Sequence, residues 1–245
     1  MTEPDSPDLL LGGRLRLHQP QRGAHRAGTD AVLLGNLITP DRDAVVCDVG
    51  AGTGAVGLIA AVRAPDCRII LVERDPALAA LALANATLNR LADRVAVIEA
   101  DVLAAGPSRH LAGLTSNLAD VVLTNPPFFD HGRHRPSPVP GKAAAHGLEP
   151  GGLDVWVRTC LDLLKPRGRL GLIHRADALP ECLAALRTRF GSIAVRPVHA
   201  RATRPAIRVL ITAVKGSRAP FALLPSLVLQ EADGAPSAEV AAMGG

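Results

Sequence analysis

The 245-residue sequence predicts an α/β fold: a mostly parallel, seven-stranded sheet with helices on both faces and an antiparallel strand pair at its C-terminal end. Three observations carry this. From residue 44 onward, short runs rich in Val, Ile and Leu alternate with stretches of helical period, the pattern of parallel strands joined by crossover helices. The first run, AVVCDV at 44–49, opens into a glycine-rich turn. The last two runs, SIAVRPV at 192–198 and AIRVLITAV at 206–214, follow one another directly and read as an antiparallel pair.

Residues 1–8 are polar and contain proline, the composition of a loose end. Arg14-Leu-Arg-Leu alternates and predicts a short edge strand. From Gly28 the apolar residues fall at helical spacing, with Thr29 or Asp30 as the expected N-cap. After the strand at 44–49 come a helix over 55–63, a strand over 67–73 and an Ala/Leu-rich helix over 76–89 with Pro76 in its first turn. Strands follow at 94–100 and 119–125. Residues 131–142, HGRHRPSPVPGK, read as a loop, and 153–164 as a helix that ends before Pro166 and Gly168. A fifth strand covers 169–174, and a helix covers 178–190 with Pro180 in its first turn. The segment after Gly216 is rich in Pro, Gly and Ala, although LLPSLVLQ at 223–230 is apolar enough to pack on the body. The expected division is an N-terminal extension (1–43), a sheet domain (44–215) and a C-terminal tail (216–245).

Composition narrows the function classes. Hydrophobic residues make up 48% of the chain, ample for a core, and aromatics only 2%, so Ala, Leu and Val must fill it. The formal net charge of +4 is compatible with a polyanionic partner without requiring one. Cys47, Cys67, Cys160 and Cys182 show no C-x-x-C and no zinc spacing, so free thiols, no metal and a reducing cytoplasm are expected. The N-terminus is acidic with a short apolar run, and no stretch approaches the roughly 20 apolar residues of a membrane span. A soluble protein is expected.

Ligands of parallel α/β sheets sit beyond the carboxyl ends of the strands, near the point where strand order reverses. The first strand ends in Asp48-Val-Gly-Ala-Gly-Thr-Gly-Ala-Val-Gly57. Gly52, Gly54 and Gly57 fit G-x-G-x-x-G, which permits a tight turn, close approach of a ligand and close helix–strand packing; a purely structural turn has the same signature. Gly50 precedes them. Glu73, at the end of the second strand, is placed to accept both hydroxyls of a ribose, and together the two features indicate an adenosine-containing cofactor. Asp48 bears on which one. A carboxylate beside the turn repels a pyrophosphate but favours a sulfonium, by a few kcal/mol at intermediate dielectric before desolvation. That sign favours S-adenosylmethionine over NAD, unless Asp48 only ties loop amides together. Asp101 could accept from an adenine amino group; an Asp after a strand is also a common helix cap.

The fourth strand ends in ADVVLTNPPFFD, residues 119–130. Pro126 and Pro127 have no N–H to give to a ladder and fix the local φ, so their carbonyls are rigid and free. The Asn125 side chain adds another carbonyl. Such an array suits a planar NH2 group, and Phe128 offers a flat face for stacking, whereas Phe129 reads as core. The competing explanation is a strand stop followed by two core Phe.

Taken together, Asp-x-Gly-x-Gly-x-Gly at 48–54, Glu73, Asp101 and Asn125-Pro-Pro-Phe128 resemble the class I S-adenosylmethionine-dependent methyltransferases, in their amino-methylating branch. The resemblance implies a Rossmann-like fold over residues 44–214. It implies cofactor contacts from Asp48, Gly50, Gly52, Gly54, Glu73, Asp101 and Asn125, and catalysis at Asn125, Pro126, Pro127 and Phe128. The segments QPQRGAHRAGTDAVLLGN and RPAIRVLITAVKGSRAP are similar to those of bacterial tRNA adenine-N6 methyltransferases, which act on the adenine next to the anticodon of a valine tRNA. Between Gly23 and Arg26 this chain has Ala24-His25 where one aromatic is usual. The implied partner is tRNA, with phosphate contacts sought among Arg14, Arg16, Arg22, Arg26, His131, Arg133, Arg135, Arg196, Arg201 and Arg204. The same Asn-Pro-Pro-aromatic grip also serves protein glutamine-N5 methylation, usually with Tyr at the Phe128 position and a helical N-terminal substrate domain. DNA adenine methylation, an NAD(P)-dependent oxidoreductase and a non-catalytic RNA-binding protein are the further alternatives.

Overall fold

The computed structural model describes residues 6–20, 28–127 and 152–244. Strands β1 (Asp8–Leu10) and β2 (Leu15–Leu17) form an antiparallel hairpin, with Leu11, Leu15 and Leu17 buried. The short strand expected near residue 14 is therefore present, but Asp8 belongs to its partner and not to a loose end. Arg16 and His18 donate their backbone N–H groups to the Asn89 and Asn85 side chains, which docks β2 on a later helix instead of on the main sheet.

Helix α1 (Thr29–Gly35) starts from Gly28, with no side-chain cap. The expected capping by Thr29 or Asp30 is corrected: Thr29 is already helical, and the Asp30 carboxylate accepts from Arg208 Nε at 2.9 Å. Then follow β3 (Val45–Val49), α2 (Ala55–Arg63), β4 (Arg68–Glu73), α3 (Pro76–Leu88), β5 (Val95–Glu99), α4 (Gly106–Leu111) and β6 (Ala119–Thr124). Asp75 caps α3 through the Ala77 and Leu78 amides, a contact worth about 1 kcal/mol, and Pro76 takes the first turn, where its missing N–H costs nothing. The C-terminal half contains α5 (Gly152–Leu163), β7 (Leu164–Arg175), α6 (Leu179–Leu186), β8 (Phe190–His199), β9 (Ala206–Lys215), β10 (Ala222–Leu223), β11 (Leu227–Val228) and α7 (Ala238–Ala242).

The sheet runs β10-β8-β9-β7-β6-β3-β4-β5. The pairs joining β5, β4, β3, β6 and β7 are parallel, and β9 is antiparallel to both β7 and β8. These are the seven strands expected. The short β10 and β11 pair with β8 and raise the total to nine, so LLPSLVLQ does pack on the body, with Leu227 buried. The sheet separates two apolar clusters. One gathers the hairpin, α1, α2 and α3; the other gathers α5 and α6. Strand order reverses between β3 and β6, so the crevice that a doubly wound sheet offers to a ligand opens at the ends of those two strands.

Candidate active site

Val49 pairs with Thr124 in the sheet, so the chain beyond β3 and the chain beyond β6 leave side by side, Gly50 next to Asn125. The turn after β3 needs its glycines: Gly50, Gly52 and Gly54 have φ of 77°, 56° and 86°, the left-handed region where a Cβ is strained. Its amides are held from below. Gly50 and Ala51 donate to the Val72 carbonyl at 2.9 Å, and Gly54 donates to the Ala51 carbonyl at 2.8 Å. Gly57 closes the motif, since a Cβ there would lie 2.2 Å from Leu71 Cδ2 and 3.2 Å from Asp48 Cβ.

Two carboxylates grip this turn in different ways. Asp48 is 1% exposed and lies under the turn, where Oδ2 accepts from the Gly57 amide at 2.8 Å. Burial pushes its pKa up to about 7 against the pull of that hydrogen bond, and the nearby Glu73 charge raises it further. Asp48 therefore ties down one amide of the motif, the structural reading that the sequence also allowed. Glu73 sits at the end of β4. Oε2 accepts from Gly52 N at 2.8 Å, and Oε1 accepts from the Arg74 and Asp75 amides at 2.9 Å. Asp101 is exposed beyond β5, and its Oδ1 accepts from Leu103 N at 2.8 Å, the turn-capping behaviour that competed with a ligand role.

At the end of β6, Asn125 and Pro127 are half-buried and Pro126 is buried. Asn125 is thus not folded away into the core. Phe128, Phe129 and the loop at 131–142 lie outside the described residues, as do Arg22, Arg26 and His25.

Trp156 lies outside the motifs that the sequence marks. Its Nε1 donates to Thr124 Oγ1 at 2.8 Å, and Thr124 Oγ1 donates to the Val49 carbonyl at 2.8 Å. The indole also underlies Gly50, where an added Cβ would meet ring carbons at 2.9–3.0 Å. One side chain therefore braces the last residue of β6, the last of β3 and the first glycine of the turn. His174, 1% exposed on β7, has its pKa lowered to about 4 by burial and by Arg175, so it is neutral near pH 7. All four cysteines are free and buried. Among the described residues no helix is long and apolar enough to cross a membrane, and no cluster of His, Cys, Asp and Glu is placed to hold a metal.

The model of a family described as "methyltransferase small domain" matches residues 26–195. A tRNA1(Val) (adenine(37)-N6)-methyltransferase from Porphyromonas gingivalis is 34% identical over 163 residues, which covers 64% of this chain and 62% of that protein. The alignment thus spans less than two thirds of that relative's length. A protein of the same name from Aeromonas hydrophila is 32% identical over 200 residues, covering 80% of this chain and 79% of its own. Among solved structures, a "predicted O-methyltransferase" from Agrobacterium tumefaciens superposes with a TM-score of 0.74 at 30% identity, over 87% of this chain and 94% of that one.

Proposed function

We propose, from the premise that this chain belongs to the methyltransferase small-domain family, that it moves a methyl group from S-adenosylmethionine to the exocyclic N6 amine of an adenine in tRNA. The anticodon-loop adenine of a valine tRNA is the substrate to which the names of its relatives point. The observation that carries the reading is the adjacency of the Asn125-Pro126-Pro127 acceptors and the Gly50–Gly54 turn across the β3–β6 pair. An RNA substrate and four buried free thiols go with a cytoplasmic enzyme.

The residues at this edge suit a cationic, adenosine-containing methyl donor. Gly52 faces open space where a Cβ would stand, so a ligand can approach its backbone. Glu73 is fixed beside it by three amides and keeps lone pairs for hydroxyl donors. Asp48, once ionised above its raised pKa of about 7, puts negative charge beneath the turn, favourable for a sulfonium and unfavourable for a pyrophosphate. Asp101 gives one oxygen to Leu103 and is otherwise open to an adenine amino group.

Bound there, S-adenosylmethionine would supply an electrophilic methyl on a positively charged sulfur, with S-adenosylhomocysteine as the leaving group when that carbon–sulfur bond breaks. The work of the chain is to make a poor nucleophile attack it. The lone pair of an adenine amine is delocalised into the ring. Asn125 Oδ1 and the Pro126 carbonyl accept the two amine hydrogens, draw the nitrogen towards sp³ geometry and aim its lone pair at the glycine-turn side. The same two oxygens stabilise the positive charge that develops on nitrogen until solvent takes the proton. Phe128 would hold the ring by stacking. Positioning and electrostatics supply the rate, with no strong general base required. A base in a loop can be splayed into such a pocket at modest cost.

The test is incubation with methyl-labelled S-adenosylmethionine, total tRNA lacking the modification and, in parallel, a protein extract. Label should enter tRNA. Label in protein alone would replace this reading with glutamine-N5 methylation.

A further inference from the structure

We infer that the β8–β9 loop, through Arg201 and Arg204, is a phosphate-binding clamp that holds the RNA backbone while the target base enters the site at Asn125; this rests on the RNA reading above. The sheet puts the loop at the correct edge. Thr124 is level with Leu172, Leu172 with Ile211, and Ile211 with Val195. The last residue of β8, His199, therefore stands four residues beyond that level, and residues 200–205 project past the strand ends on the same side as Asn125. The lateral offset from β6 to β8 is three strand spacings, about 14 Å, and the rise to His199 is about 13 Å.

Among the described residues, the other arginines that flank this loop or were candidates for RNA are already engaged. Arg175 is paired with Asp177, Arg208 with Asp30, and Arg196 reaches both Glu239 oxygens at 2.6 and 2.7 Å. Arg14 and Arg16 donate to backbone carbonyls of the hairpin and α3. Arg201 and Arg204 are exposed, and among the described residues neither has an ion-pair partner.

The loop is also built in advance. Arg204 N donates to the Arg201 carbonyl at 3.0 Å, closing a four-residue turn that brings its first and last residues together. His199 Nδ1 lies 2.6 Å from the Arg204 carbonyl, and Gln230 N donates to the Ala200 carbonyl at 3.1 Å. Pro205 fixes the exit into β9. The preformed turn removes the cost of ordering the backbone, leaving only the side-chain freedom of two guanidiniums to be lost, and each can bind a phosphate bidentately.

The test compares R201A/R204A with R63A/R187A, which removes the same charge from exposed helix ends at the opposite edge. Affinity for tRNA is measured across salt concentrations, with kcat/KM for tRNA methylation and the Kd for S-adenosylmethionine. We expect R201A/R204A to lower kcat/KM for tRNA at least tenfold and to flatten the log–log salt dependence by about 1.4 to 1.8, two phosphate contacts. Cofactor Kd should stay within twofold, and the control pair should match wild type. A wild-type salt slope in R201A/R204A, or equal losses in both variants, overturns the clamp. If the wild-type enzyme neither binds nor methylates tRNA, the RNA reading itself fails, a result distinguishable from a normal wild type with an unaffected variant.

Discussion

The chain leaving β3 and the chain leaving β6 are neighbours with opposite chemistry. The Gly50–Gly54 turn is rich in amides, three of them left-handed glycines, and is tied down by Val72 and Glu73, while Asp48 holds Gly57 just beyond it. Asn125-Pro126-Pro127 has two residues without any N–H, so its backbone there can only accept. The first end suits a ligand that brings hydroxyls and a positive charge to carboxylates; the second suits one that brings N–H bonds to carbonyls. Two strand ends one ladder spacing apart can thus hold two different partners face to face, and the sheet sets their separation. Trp156 and Thr124 bolt the two ends together.

The sharpest way to break the comparison is Asn125→Ala. Turnover should fall about a hundred- to a thousandfold, the usual cost of one lost transition-state hydrogen bond, while the S-adenosylmethionine Kd measured by calorimetry stays within twofold. Equal losses in both would mean that the two ends do not act separately.

Asp48→Asn probes the other end. Its carboxyl titrates near 7 when folded, against an ordinary 3.8. Between about pH 4 and 7 the folded protein keeps a proton that the unfolded chain has lost, so stability falls as pH rises through this window and is level above it. Asparagine removes that fall. The variant should gain on wild type with rising pH, by up to about 4 kcal/mol at pH 8, in denaturant titrations. A bound cation should lower the Asp48 pKa, so wild-type cofactor affinity should rise from pH 6 to 8 and the variant's should not.

Gly50→Ala should cost about 2–4 kcal/mol in the same titration, from the left-handed φ and the Trp156 ring 2.9 Å from the new Cβ. Trp156→Phe is the mildest change. It keeps most of the ring, loses the bond to Thr124, and should cost about 1–2 kcal/mol, with a several-fold fall in kcat and little change in cofactor Kd.

The same two regions show what can be read from a sequence. The glycine turn, Glu73 and Asn-Pro-Pro are local signals, because glycine at positive φ and proline without an N–H act where they stand. The roles of Asp30, Trp156 and Arg201/Arg204 are not local. Asp30 has the residue type of a cap, but its partner Arg208 is 178 residues away. Trp156 has the period of a core residue, and only the sheet brings it beneath Gly50. Ten arginines and histidines were candidates for RNA; only the ion pairs of the folded chain separate Arg196, bound to Glu239, from the uncommitted Arg201 and Arg204. The strand expected at 169–174 begins at Leu164, since a register shift against β6 lets β7 pass Pro166.

The most direct measurement of the central claim is the chemical position of the new methyl group. Nucleosides from tRNA treated with the enzyme would be separated and their masses determined. Carbonyl oxygens facing an NH2 group predict N6-methyladenosine. A methyl on an oxygen, the atom that the name "predicted O-methyltransferase" gives for the Agrobacterium protein, would contradict the account.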